Sequence, residues 1–418
     1  MYERIVLPNG VRVVFERMEG VRSAAFGVWV GAGSRCESPE EAGSAHFIEH
    51  MLFKGTARRS AAQLAEEADA LGGQLNAYTT RDNTCFYTRV LDRHLERASD
   101  VLSDMFFNSR FDELDVASEK GVIQEEIDMY EDTPEDVAAE GLLAGCFPGA
   151  LGRPVLGSAE SLAGLSGSSL RAFRDRNYTA ARTVLALAGS FTDADVEAIS
   201  APFAAMPPVA AGEMDRADYS PSFTLRSKPI EQNQLVLGFP GLETGSGERF
   251  ALQLFSGILG GNTSSRLFQT VRERHGLCYS IYSFTAGFAD TGLFAVAEAT
   301  NRQTEERALR LTVDELRRIR DEGVTAAELD RAREQVTASI LMSLESTSSR
   351  MNRLGYGELF LGGALTPEEL IERYEAVTLR DIKRLAERVI DFSRVSLSAV
   401  GRVSAEERYR ELLRQGEN

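Results

Sequence analysis

The sequence predicts an α+β protein made of two homologous α/β-sandwich-like halves, each a mostly antiparallel sheet flanked by helices. Three observations predict it. The chain has 418 residues, more than the roughly 250–300 over which one hydrophobic core grows. A run rich in Pro, Ala and Asp from Pro207 to Pro221 lacks apolar periodicity and reads as a linker. The segments on either side carry strand and helix patterns in the same order, as a duplicated unit would. The expected division is 1–206, a linker over 207–222, and 223–418.

Each element follows from its pattern. Strand-like alternation opens the first half at 11–16 and 24–30 and the second at 234–239. Helical stretches follow, around 42–53 and around 248–272. Strand pairs come next, 74–79 with 84–90 and 278–284 with 292–298, and a long amphipathic helix follows each pair. Glu-Leu-Asp at 113–115 matches Glu-Leu-Asp at 328–330, and Glu119 matches Glu334 at the same offset. Leu-Ala-Leu-Ala-Gly at 185–189 resembles Leu-Ser-Ala-Val-Gly at 397–401.

Composition narrows the function. Lys and Arg number 46 against 63 Asp and Glu, a net charge of −17. That balance argues against nucleic acid or an anionic membrane as partner, because phosphate contacts need clustered Lys and Arg. No secretory signal and no run of about 18 apolar residues is visible, so neither export nor membrane insertion is expected. The four cysteines, Cys36, Cys85, Cys146 and Cys278, form no CxxC pair. They read as reduced, structural thiols of a cytoplasmic protein.

The chemistry concentrates at His-Phe-Ile-Glu-His, residues 46–50, within a helix-favouring run closed by Gly55. His46 and His50 are four apart, so their imidazoles lie one turn apart on one face and can reach a single Zn²⁺. Glu49 lies between them, placed to take a proton from water without being a ligand. This is the inverted form of the zincin motif. A third ligand is expected within 117–130. Glu119 and Glu126, seven apart, share a helix face, and Val122 and Ile123 give the stretch an inward side. Glu125 points about 100° from Glu126, and local pattern leaves Glu125 and Glu126 open as the ligand. The acidic run beyond, Asp128, Glu131, Asp132, Glu135 and Asp136, reads as a solvated face.

Gly-Ser-Ala-His-Phe-Ile-Glu-His-Met-Leu-Phe-Lys-Gly-Thr, residues 43–56, resembles the signature of the pitrilysin family of zinc peptidases, and the resemblance extends over nearly the whole chain. It implies a two-domain, bacterial-type zinc endopeptidase acting on extended, unstructured peptides. By this resemblance His46, His50 and Glu126 bind Zn²⁺, the family's third ligand lying about 76 residues after its second His. Glu49 is the general base and Glu119 supports a ligand. Asn76 and Ala77 match an edge strand that contacts substrate backbone. Arg272 and Tyr279 match a segment that reaches substrate near the scissile bond. The second half resembles the family's degenerate domain: it lacks the metal set, with Leu341 at the position equivalent to Glu126. Residues 1–206 would then be the zinc-binding domain. Family members of this length pair into an enclosed chamber, so a homodimer is implied. The alternative is a non-catalytic structural or processing subunit of the same fold that acts with another chain.

Overall fold

The computed structural model describes residues 2–210, 212 and 214–414, so positions 211 and 213 of the expected linker lie outside the described residues. The chain forms two compact units. The first comprises 1–127, 153–215 and 341–366, and the second 128–152, 216–340 and 367–418. Each unit therefore includes one helical segment from the other half of the sequence.

The first unit is built on six strands: β1 (Glu3–Val6), β2 (Arg12–Arg17), β3 (Ser23–Val30), β4 (Gln74–Thr79), β5 (Thr84–Leu91) and β6 (Thr183–Gly189). Their order is β1-β2-β6-β3-β5-β4, with β2 and β6 parallel and every other pair antiparallel. The period-2 alternation gives the sheet two apolar faces. Phe15, Phe26, Val28, Phe86 and Leu187 face one side and pack with the helices Ser44–Leu52 and Leu95–Asn108. Val14, Ala25, Trp29, Cys85 and Ala186 face the other, against Met351 and Leu354 of the helix Thr347–Phe360. Small residues on this second face let the helix approach closely. A Cβ on Gly355 would lie 2.3 Å from Trp29 Nε1. Glu16, buried at the same interface, pairs with Arg350 and with Arg353 (2.5 Å).

The second unit carries β7 (Phe223–Ser227), β8 (Gln232–Pro240), β9 (Cys278–Gly287), β10 (Gly292–Asn301) and β11 (Ser396–Gly401), in the order β7-β11-β8-β10-β9. This is the order β2-β6-β3-β5-β4 strand for strand, down to the single parallel pair, β7 with β11. The repeat read from the sequence is thus a repeat of topology. One face packs Val236, Ala295 and Val400 against Ala138 and Leu142 of the helix Pro134–Cys146, contributed by the first half of the sequence. On the other, Phe294 meets Phe255 of the helix Arg249–Gly260 at 5.2 Å between rings.

Three local expectations differ from the structure. The helix expected around 248–272 is broken: Arg249–Gly260 ends, and a π-helical turn follows at Phe268–Arg274. Gly260 presses on β9, where a Cβ would lie 2.4 Å from Ser283 N. Val122, expected on an inward side, is exposed, because it lies off the stripe of Val116, Glu119 and Ile123 that its helix buries. The acidic run is only partly a solvated face: Glu131 pairs with Arg226 (3.0 Å), and Glu135 accepts the Tyr282 hydroxyl at 2.6 Å. No helix among the described residues is long and apolar enough to cross a membrane.

One buried acid in the second unit carries a stability prediction. Glu298 on β10 accepts from Thr312 Oγ1 (2.7 Å), and its other oxygen, Oε1, has no hydrogen-bond partner among the described residues. Burial pushes its carboxyl up to about 7 from 4.5, Thr312 opposing and Glu305 adding to the rise. The folded state then holds a proton that the unfolded chain has released, so stability falls as pH rises from about 4.5 through about 7. Between pH 5 and 8 the loss is about 2–3 kcal/mol. Glu298→Gln mimics the protonated acid and removes that slope. Urea unfolding of both proteins at pH 5 and pH 8 checks it, and equal slopes would refute the assignment.

Candidate metal centre

The helix Ser44–Leu52 begins at Gly43, whose φ of 93° lies in the left-handed region. A Cβ there would meet Leu156 O at 2.8 Å, so glycine is required on two counts. Phe47, Ile48, Met51 and Leu52 anchor the helix in the core, each side chain contributing about 1.5–3 kcal/mol of burial. That leaves His46, Glu49 and His50 facing away from the core.

A second helix, Glu113–Glu131, brings the carboxylates. Glu119 and Ile123 are buried and Glu126 half-buried along one stripe, while Glu125 is exposed on another. His46, His50 and Glu126 are the set of His, Cys, Asp and Glu side chains, among the described residues, placed to share one metal ion. Their facing atoms form a nearly equilateral triangle. His46 Nε2 and His50 Nε2 are 3.3 Å apart, and Glu126 Oε2 lies 3.5 and 3.6 Å from them. A tetrahedral ion bonded at 2.0–2.1 Å would set these edges at about 3.4 Å and leave a fourth vertex open. The donor set, two imidazoles and a carboxylate, fits Zn²⁺.

The surroundings prepare each group. Burial, with His50 adding to it, pulls the His46 imidazole down to about 3, so the ring is neutral at ordinary pH. His50 Nδ1 lies 2.9 Å from Glu119 Oε1, which leaves its Nε2 lone pair for a metal. Glu119, only 2 % exposed, is paired on its other oxygen with Lys54 at 2.5 Å. Burial raises the Glu49 carboxyl above its usual range, opposed by a hydrogen bond from Thr79 Oγ1 to Oε2 (2.6 Å) and by His50.

The remaining predicted residues fall in two places. Asn76 and Ala77 lie on β4, the open edge of the first unit's sheet. Asn76 Oδ1 accepts the Ala77 N–H at 2.8 Å, so that N–H points to the edge and not to β5. Thr79, at the end of the same strand, is the residue that holds Glu49. Arg272 and Tyr279 lie in the second unit, both on irregular backbone. Arg272 sits in the π-helical turn, its guanidinium 4.7 Å from the Phe268 ring and 5.7 Å from the Tyr279 ring. Tyr279 is the extra residue of a β-bulge, since Ala299 pairs with Ser280 and Thr300 with Cys278. The bulge turns its ring outward, 70 % exposed.

Residues 12–159 match the family model described as insulinase (peptidase family M16), and residues 164–336 match the peptidase M16 inactive domain. An uncharacterized zinc protease of Bacillus subtilis is 40 % identical over 405 residues, covering 96 % of this chain and 99 % of that protein. The chain belongs to peptidase family M16. Within the family, an uncharacterized zinc protease of Mycobacterium tuberculosis is 40 % identical over 395 residues, 93 % of this chain and 90 % of that one. Two solved structures share the fold. The peptidase M16 inactive domain from Pseudomonas fluorescens has a TM-score of 0.89 at 22 % identity, covering 97 % of this chain and 98 % of that one. A protease from Helicobacter pylori has 0.87 at 18 %, covering 96 % and 99 %.

Lys54 and Thr79 were not among the residues singled out from the M16 sequence. A signal for Lys54 was present: His46, His50 and Lys54 recur every four residues. Thr79 had none, because its link to Glu49 spans 30 positions.

Proposed function

We propose that this M16 chain is a zinc-dependent endopeptidase that hydrolyses extended, unstructured peptides. The observation that carries the reading is the triangle of His46, His50 and Glu126, with edges of 3.3–3.6 Å. Relatives named as zinc proteases at 40 % identity support it.

His46, His50 and Glu126 hold the metal, and Glu119, paired with Lys54, orients His50. Zinc supplies a Lewis acid that acidifies a water and polarises a carbonyl. Glu49 takes the water's proton on Oε1 while Thr79 holds Oε2. The substrate adds a strand at the β4 edge, where its carbonyl displaces Asn76 Oδ1 from the Ala77 N–H. Backbone pairing of this kind reads shape more than side chains, hence the preference for unstructured peptides. Arg272 and Tyr279 are assigned to substrate, Arg272 to a carbonyl and Tyr279 to the developing oxyanion.

The test uses the isolated chain, loaded with zinc, and a quenched-fluorescence peptide without stable structure. Cleavage should stop on chelation and return with added zinc. A zinc-loaded chain that cleaves nothing alone would favour the reading as a subunit working with a different chain. Sedimentation of the same sample tests the homodimer, expected at twice the mass of one chain.

A further inference from the structure

The two histidines of the metal triangle are held differently. His50 has a carboxylate on its far nitrogen. His46 Nδ1 is buried and has no hydrogen-bond partner among the described residues. Metal-binding imidazoles are ordinarily oriented through that second nitrogen. The aim of His46 must therefore come from the backbone that carries it. His46 is the third residue of its helix, within the turn whose N–H groups find no partner inside the helix.

That turn has no local cap. Gly43 offers no side chain, and Ser44 Oγ is buried without a hydrogen-bond partner among the described residues. The carboxyl of Glu37, from the preceding loop, takes the role. Oε2 accepts the Gly43 N–H and Oε1 the Ala45 N–H, each at 2.8 Å. Glu37 is 4 % exposed, and its own carbonyl is held by the Arg153 guanidinium. The clamp thus grips the residue immediately before His46, and it is itself fixed from behind.

We propose that Glu37 is a positioning residue of the metal centre: it fixes the first turn of the helix and thereby the aim of His46, as Glu119 fixes His50. The inference rests on the reading of His46 as a zinc ligand. Burial pushes the Glu37 carboxyl up to about 8, against the two N–H groups and Arg153. In either protonation state both oxygens keep a lone pair for an N–H. An amide does not, so Glu37→Gln sets an NH₂ against one backbone N–H.

The experiment compares the full chain with Glu37→Gln and Glu37→Asp, well below the melting temperature of each. Zinc affinity is read by competition with a chromophoric chelator, and ligand geometry by the visible spectrum of the cobalt(II)-loaded protein. The expected result is zinc binding weakened about 10–100-fold in Glu37→Gln, with an altered cobalt spectrum and unchanged helix content. Glu37→Asp, one methylene short of the clamp, should lie between. A melting temperature that falls while affinity and spectrum stay at wild-type values would overturn the proposal and leave Glu37 a structural cap. If Glu37→Gln does not fold, Glu37→Asp decides on the same two readings. Wild-type protein that binds neither ion would overturn the metal reading itself, and with it this one.

Discussion

Replacing Glu49 by Gln is expected to leave zinc bound and to lower kcat for peptide hydrolysis by roughly 10²–10⁴-fold, the usual contribution of a positioned general base. Zinc stays because Glu49 is outside the triangle of His46, His50 and Glu126. The fold stays because a Gln carbonyl can still accept the Thr79 hydroxyl that now reaches Oε2. What disappears is a group able to take a proton. Burial raises the Glu49 carboxyl above the ordinary carboxylate range, toward the pH at which a base is useful. The pH profile adds a second reading. The base must be ionised, so kcat/KM of the wild type should rise with pH along an acid limb. Glu49→Gln has no proton to lose there, and its residual rate should lack that limb. Metal analysis and a pH series on the purified variant check both. Undiminished activity would remove Glu49 as the base, whereas lost zinc would make it a ligand.

The contrast between Glu49 and its neighbours shows what a sequence can carry. His46, Glu49 and His50 are legible because a helix converts spacing into a face, and four residues make one turn. Glu119 and Glu126 are legible as a pair for the same reason. The repeat was legible as well, since the period-2 and helical patterns recur in order, and five strands of the first sheet prove to have the same order as the five of the second. What was hidden depends on what lies opposite a residue. Helices Pro134–Cys146 and Thr347–Phe360 each pack on the sheet of the other half's unit. An amphipathic stripe states that a helix must be covered but not by which sheet. The break after Gly260 and the bulge at Tyr279 arise from close approach and strand register, which periodicity does not encode. Glu37 acts through two hydrogen bonds, to residues 6 and 8 positions away, and Thr79 through one, to a residue 30 positions away, and neither belongs to a spaced pattern.

The choice between Glu125 and Glu126 is where this difference has the largest measurable consequence. Adjacent residues on a helix differ by about 100° in direction, so one can face the histidines while the other faces water. Glu126 Oε2 lies 3.5 and 3.6 Å from the two Nε2 atoms, and Glu125 is exposed. Glu126→Gln exchanges an anionic ligand for a neutral amide. It should weaken zinc by more than about 100-fold, beyond the cost of losing an outer partner of a ligand. Glu125→Gln should leave zinc affinity within about threefold of wild type, since surface changes are ordinarily worth under about 0.5 kcal/mol. Thermal unfolding reads the same contrast without an activity assay. At zinc 100 times above its dissociation constant, binding adds about 2.7 kcal/mol to the stability of the folded state. Chelator should therefore lower the melting temperature of the wild type and of Glu125→Gln alike. In Glu126→Gln, examined at that same zinc concentration, most of the shift should vanish, because at most about half of the sites then hold metal and binding adds no more than about 0.4 kcal/mol. A shift retained in Glu126→Gln and lost in Glu125→Gln would require the helix Glu113–Glu131 to be turned by about 100°. That would bury Glu125 in place of Glu126 and pull Glu119 away from His50 Nδ1, so the same rotation would break the hydrogen bond that orients the second histidine.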